Sequence, residues 1–269
     1  MSEAKGPIDA IKSQRGFTLI EMAIVLVIIG LLLGAVLKGQ QMVENTRVIA
    51  TAADFNNIRA AANTFHDRYQ TRPGDFNNAT KQLPTNQYPT IAPVIADGDG
   101  NGIIGADMGA NLGAAISYPT ENTQFWMHLR VAGLLGKPRQ TGISSNALNE
   151  AAAVYGQLMP SGRFGGGFHV LYGNDNTGRY THWLRLAAGG DIGTSILGTN
   201  ATLAATPALT ANEAYALDLK MDDGNPFTGS VQAGNTVKAG AGGCVSTTTP
   251  VSYLQTDDIG CWIISDLQM

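Results

Sequence analysis

Arg15-Gly16-Phe17-Thr18-Leu19-Ile20-Glu21 opens an apolar run that continues to Leu37 and is closed by Lys38. Between Phe17 and Leu37 the only charged side chain is Glu21. A run of this kind meets the requirement of roughly 20 apolar residues for a helix that crosses a bilayer. The carboxylate is the anomaly, because a charge at the centre of a membrane helix costs at least about 2.5–3.5 kcal/mol on insertion scales. Near the start of the run it can still snorkel towards the headgroups. A charge retained in such a place points to function.

Two plainer explanations fit less well. A secretory signal has an apolar core of about 7–15 residues followed by a small-residue A-x-A cleavage site. Here the run is longer, and Leu33-Gly34-Ala35-Val36-Leu37-Lys38-Gly39 offers no such site. A simple membrane anchor accounts for the length but leaves Glu21 and the Gly16-Phe17 junction unexplained.

Basic residue, Gly16, Phe17, a short apolar link and Glu21 as the fifth residue after the junction together resemble the prepilin cleavage and methylation motif. That motif belongs to the type IV pilins and the type II secretion pseudopilins, and the resemblance is strongest over about the first 60 residues. It implies a membrane peptidase that cuts after Gly16 on the cytoplasmic side and methylates the new amino terminus at Phe17. It also implies that Glu21 serves assembly, paired with the Phe17 amine of a neighbouring subunit. The implied partners are further copies of the chain, the prepilin peptidase, an assembly ATPase, a platform protein and a secretin.

This divides the sequence into a leader over 1–16, a transmembrane half-helix over 17–40, an amphipathic half over 41–72 and a globular head over 73–269. In the leader Lys5, Lys12 and Arg15 outnumber Glu3 and Asp9, which keeps this end cytoplasmic by the positive-inside rule. The expectation is a single-pass inner-membrane precursor of a Gram-negative-type bacterium, with a periplasmic or extracellular filament afterwards. From Gln41 to Gln70 there is no proline, and Val48, Phe55, Ile58, Ala62, Phe65 and Tyr69 recur at near-helical spacing. One apolar stripe of this kind needs a head to cover it. Pro73 and Gly74 end the helix near Thr71-Arg72. Gly30 and Gly34, four apart, suit either close helix contact or local unwinding.

The head has the marks of an α+β fold with an antiparallel sheet. Residues 121–160 carry helical patterns, with Ala147–Leu158 as a second short helix. Gly167–Tyr172 and Tyr180–Leu186 then read as strands joined by the loop 173–178. Residues 193–211 are rich in Thr and Ala, a surface excursion. Thr210 and Glu213 have capping-box spacing for a short helix through Leu219. Met221–Pro226 is a turn, and Cys261–Ile264 a last buried strand.

Asp97-Gly98-Asp99-Gly100-Asn101-Gly102-Ile103-Ile104 alternates acid, acid and Asn before Gly and an apolar residue, the first half of an EF-hand-type loop. Asp97, Asp99, Asn101, the carbonyl of Ile103 and Asp107 are the candidate ligands for calcium. Met108 occupies the position of the usual twelfth-position Glu, and a plain turn is the competing expectation. The same stretch fits G-x-G-x-x-G by count, but acids line it and no strand–helix pair flanks it. No other cofactor is implied.

Charged residues make up 14% of the 269-residue chain, and the net charge of −4 leaves no basic footprint for nucleic acid. His66, His128, His169 and His182 have no metal-site spacing, and His169 and His182 suggest surface decoration on a hairpin. No nucleophile elbow or P-loop occurs. Catalysis is therefore not expected, and a membrane-anchored periplasmic enzyme is the weaker class. A tip subunit acting as adhesin or in DNA uptake is the other alternative to a filament subunit. The two cysteines, Cys244 and Cys261, are an even pair in an exported chain, which predicts a disulfide.

Overall fold

The computed structural model describes residues 17–84, 95–105, 121–136, 155–156, 159–175, 178–188, 207–235, 243–246 and 250–269. The leader with Gly16, the expected ligand Asp107, the excursion over 193–206 and most of the expected helix over Ala147–Leu158 lie outside the described residues. The chain divides into two units, Met1–Asn45 and Thr46–Met269.

Helix α1 runs from Leu19 to Tyr69 without a break. In the first unit its apolar side chains are exposed all round, among them Leu19, Ile20, Leu26, Leu31 and Leu37. A helix apolar on every face is either buried or membrane-spanning. By length and composition α1 suffices to cross a membrane, with a mean hydropathy of 2.8 over an 18-residue window. Gly30 and Gly34 lie within regular helix, and an added Cβ at either would meet nothing within 4 Å. The open surface at both glycines suits close helix contact.

In the second unit α1 buries Val48, Thr51, Ala52, Phe55, Ile58, Ala61, Ala62 and Phe65, the stripe expected from their three- and four-residue spacing. Gln70 ends the helix in the left-handed conformation at φ 56°, and its N–H closes on the His66 carbonyl at 2.7 Å. Helix α2 spans Ala79–Gln82 and helix α3 spans Glu121–Val131.

The sheet comprises β1 (Gly167–Asn174), β2 (Tyr180–Ala187), β3 (Leu209–Thr210), β4 (Val231–Asn235) and β5 (Ile259–Asp266), with α4 (Ala211–Met221) between β3 and β4. β1 and β2 form the expected hairpin, while β5 pairs antiparallel with β2, β3 and β4. β2 and β5 are buried along almost their whole length, so both faces of the sheet are covered. Phe55 of α1 meets Phe168 of β1 edge to face at 5.0 Å, and Arg59 donates to the Ser265 hydroxyl at 2.6 Å and to the Asp266 carbonyl. On α3, Asn122 donates to the Val170 carbonyl at 2.8 Å. The expected capping box of α4 is present, with Thr210 and Glu213 bonded reciprocally.

The histidine pair expected on the hairpin surface is corrected. Register sets His169 opposite Arg185 and His182 opposite Tyr172, and both imidazoles are buried. β4 went unrecognised in the sequence, since Val231-Gln232-Ala233-Gly234-Asn235 lacks β-branched and aromatic residues beyond Val231.

Candidate functional site

Phe17 is exposed and non-helical, and Thr18 follows as the residue before α1. The Thr18 N–H and hydroxyl both donate to one Glu21 carboxylate oxygen at 2.8 Å, and the Glu21 N–H donates back to the Thr18 hydroxyl at 3.3 Å. This is a capping box, in which two amides at the helix start are satisfied reciprocally. It was legible, because Thr18-Leu19-Ile20-Glu21 has the T-x-x-E form before an apolar run, but the charge in the membrane masked it. The box gives Glu21 donors within its own chain, which eases its residence near hydrocarbon. The acid also sits where the positive end of the helix dipole favours it.

A second acidic site lies in the head. Asp97, expected as a metal ligand, accepts from the Thr80 N–H at 2.8 Å and the Thr80 hydroxyl at 3.1 Å, tying the loop to α2. Asp99 accepts from the N–H and the side-chain amide of Asn101, at 2.9 and 2.8 Å. The Asn101 side-chain oxygen in turn accepts from the Ile103 N–H at 2.6 Å. Ile104 is fully buried, as expected for the residue that anchors the loop.

Two acids from elsewhere join Asp99. Asp75, just beyond the end of α1, accepts from the Gly102 N–H at 2.8 Å. Glu121, the first residue of α3, accepts from the Asp99 N–H and the Gly105 N–H, both at 2.9 Å. One carboxylate oxygen each from Asp75, Asp99 and Glu121 lies within 4.8 Å of the others. Burial raises the Asp75 carboxyl above its ordinary range; the Gly102 and Gly100 amides oppose this, and the nearby Asp99 adds to it. Burial likewise raises Glu121, against the pull of the Asp99 and Gly105 amides.

The loop is fixed from several sides. His128 accepts from the Gly74 N–H, and its other ring nitrogen lies 3.0 Å from the Ala96 carbonyl. Gln124 accepts from the Ala96 N–H at 3.0 Å, and Arg72 donates to the Gly102 carbonyl at 2.7 Å. His182 accepts from the Ile104 N–H at 3.1 Å. Burial pushes His128 down to about 4; His182 also falls to about 4 through burial, with a smaller push from Arg72. Gly98 runs so close to Gly74-Asp75 that a Cβ there would meet the Gly74 carbonyl at 2.4 Å. A third acidic group, Asp218, Asp222 and Asp223, holds backbone turns: Asp222 accepts from the Ser230 and Val231 amides, and Asp223 from the Asn225 amide and the Thr228 hydroxyl.

Cys244 and Cys261 form the expected disulfide, joining a segment 17 residues upstream to the central strand β5. Around it Val245 bridges to Tyr253, and the Leu254 N–H donates to the Cys244 carbonyl at 3.0 Å.

Residues 11–37 match the family described as the prokaryotic N-terminal methylation motif. No curated protein and no solved structure gives a significant match to the chain. The match covers the leader junction and the first part of α1, so the chain carries the signature of type IV pilins and pseudopilins at its amino end. A long apolar helix followed by an antiparallel sheet is the α+β arrangement expected of such a protein. The motif implies processing by a prepilin peptidase, anchorage in a membrane before assembly, and filament assembly in general.

Proposed function

We propose that the mature protein is a structural subunit of a type IV pilus or a type II secretion pseudopilus, and that its work is assembly and not catalysis. The carrying observation is the methylation motif over residues 11–37 leading directly into α1. Cleavage after Gly16 and methylation of Phe17 generate the assembling chain. The leader faces the cytoplasm and the head faces the periplasm or the outside. The apolar half of α1, exposed in the single chain, leaves lipid for a bundle of the same helices from other subunits. In that bundle, without water, Glu21 meets the Phe17 amine of a neighbour. An assembly ATPase, a platform protein and a secretin are the partners that the resemblance adds.

The test is to produce the full chain with its prepilin peptidase, assembly ATPase, platform protein and secretin in a host lacking its own filaments. Electron microscopy with antibody against the head then follows. Labelled filaments, long at the cell surface or short in the envelope, are expected. Processed protein that stays in the membrane as single subunits under all expression levels would overturn the proposal.

A further inference from the structure

Asp75 is 3% exposed, and its second carboxylate oxygen, Oδ1, is buried with no hydrogen-bond partner of acceptable geometry. An unsatisfied buried acceptor costs about 1–3 kcal/mol, and more when charged. The cost calls for a partner. The neighbours on the acidic side are themselves acids, Asp99 and Glu121, whose oxygens lie within 4.8 Å. Three carboxylates thus gather around one point, and the ion pairs among the described residues do not include them. Arg72, the nearby cation, is directed at the Gly102 carbonyl.

We propose that Asp75, Asp99 and Glu121 bind a calcium ion that clamps the 95–105 loop between the turn after α1 and the start of α3. All donors are hard carboxylate oxygens, with no imidazole or thiolate, which selects calcium, magnesium or manganese over zinc or copper. Oxygens within 4.8 Å of one another are close enough to share one ion. Calcium takes such carboxylates at about 2.3–2.6 Å in flexible geometry, whereas magnesium at about 2.0–2.1 Å demands a near-ideal octahedron. The amide hydrogen bonds already made by these oxygens hold them in place and leave further lone pairs for a cation. Asp75 Oδ1 then gains a partner, and the mutual repulsion of the three acids is cancelled. The ligand set differs from the one the alternating loop suggested. Asp99 belongs to both, Asp97 instead caps α2, and Asp75 and Glu121 come from outside the loop.

The experiment uses the full chain in detergent, stripped with chelator. Thermal melts are recorded with calcium chloride, with magnesium chloride and with chelator, alongside equilibrium dialysis against radioactive calcium. With calcium at about tenfold its dissociation constant, the melting temperature should rise by about 3–6 °C for a domain of this size. Dialysis should show one bound ion per chain. Asp99→Asn, an isosteric change at an exposed position, should weaken calcium binding at least tenfold. Glu121→Gln should do the same, while Asp97→Asn should retain it. No bound calcium in wild type would overturn the site, as would undiminished binding by Asp99→Asn and Glu121→Gln. A shift of equal size with magnesium would overturn the choice of ion.

Discussion

Nδ1 of His128 accepts a hydrogen bond from the Gly74 N–H at 2.9 Å, across 54 residues of sequence. An acceptor at Nδ1 places the ring proton on Nε2, which then donates to the Ala96 carbonyl. One neutral imidazole therefore joins the turn after α1 to the acidic loop from its seat on α3. His128→Ala leaves the Gly74 amide and the Ala96 carbonyl buried without a partner and opens a void. A loss of about 2–5 kcal/mol is expected in denaturant unfolding of the full chain in detergent. His66→Ala, at an exposed position of α1, should change stability by less than about 0.5 kcal/mol. Equal effects from both would deny His128 its bridging role.

Mass spectrometry of intact protein from membranes should give a chain beginning at N-methyl-Phe17. A mature chain that keeps residues 1–16, or begins elsewhere, would contradict the processing.

Glu21 has two separable roles, capping α1 and carrying a charge. Glu21→Gln preserves the capping box but removes the charge, whereas Glu21→Ala removes both. Both variants should be cleaved normally. Both should lower filament yield more than about tenfold, because losing one member of a buried pair costs about 3–5 kcal/mol against about 1 kcal/mol for a cap. Rescue of assembly by Gln, measured in sheared filament fractions, would reduce Glu21 to a capping residue.

The Cys244–Cys261 disulfide closes a short loop onto β5. Replacing both cysteines with alanine, or reducing the bond, should cost about 3 kcal/mol of unfolding free energy on the loop-entropy account. Thiol labelling of the unreduced, denatured protein should find no reactive cysteine. Two reactive thiols would mean that the bond does not form.

The Tyr253 hydroxyl donates to Asp218 at 2.7 Å and the Gly224 N–H donates to its other oxygen at 3.2 Å, yet burial pushes Asp218 up to about 7. The Tyr253 and Gly224 bonds oppose that rise, and Asp223 and Asp222 add to it. The native state thus holds a proton that an unfolded aspartate releases near 3.8. Its stabilising contribution is full below about 4 and is lost as pH rises to about 7. The buried histidines act in the opposite sense, since unfolded imidazoles take up protons that native ones refuse. Subtracting the pH–stability curve of Asp218→Asn from that of wild type isolates the carboxyl. Between about pH 4 and 7 the difference should fall by a few kcal/mol, with a slope of at most about 1.4 kcal/mol per pH unit. A flat difference would place the Asp218 titration at its ordinary value.

The amino-terminal site was legible because its parts are neighbours. Gly16, Phe17 and Glu21 lie within one short segment, and the stripe from Val48 to Phe65 follows helical spacing. The disulfide needed only a count of two. The acidic site was half legible. Asp99 stood out in its alternating loop, but Glu121 is 22 residues away and meets it only once α3 is packed. Asp75 sits in a Pro-Gly-Asp turn whose acid looks like turn chemistry until the Gly102 amide bonds to it. The histidines misled for the same reason: burial of a polar ring depends on partners such as Gly74 and Ile104 that no local pattern names.

The strand that pairs with β2, β3 and β4 is β5, and it occupies Ile259–Asp266 of a 269-residue chain. The centre of the sheet is therefore synthesised after every other described strand. Before it emerges, the pairing available among the described strands is that of β1 with β2, and an isolated hairpin is marginal in water. Completion waits for contacts between distant segments, which form slowly. A ribosome stalled before the codons of β5 would hold a chain with no finished sheet, and a nonsense mutation there would be as damaging as one before β1.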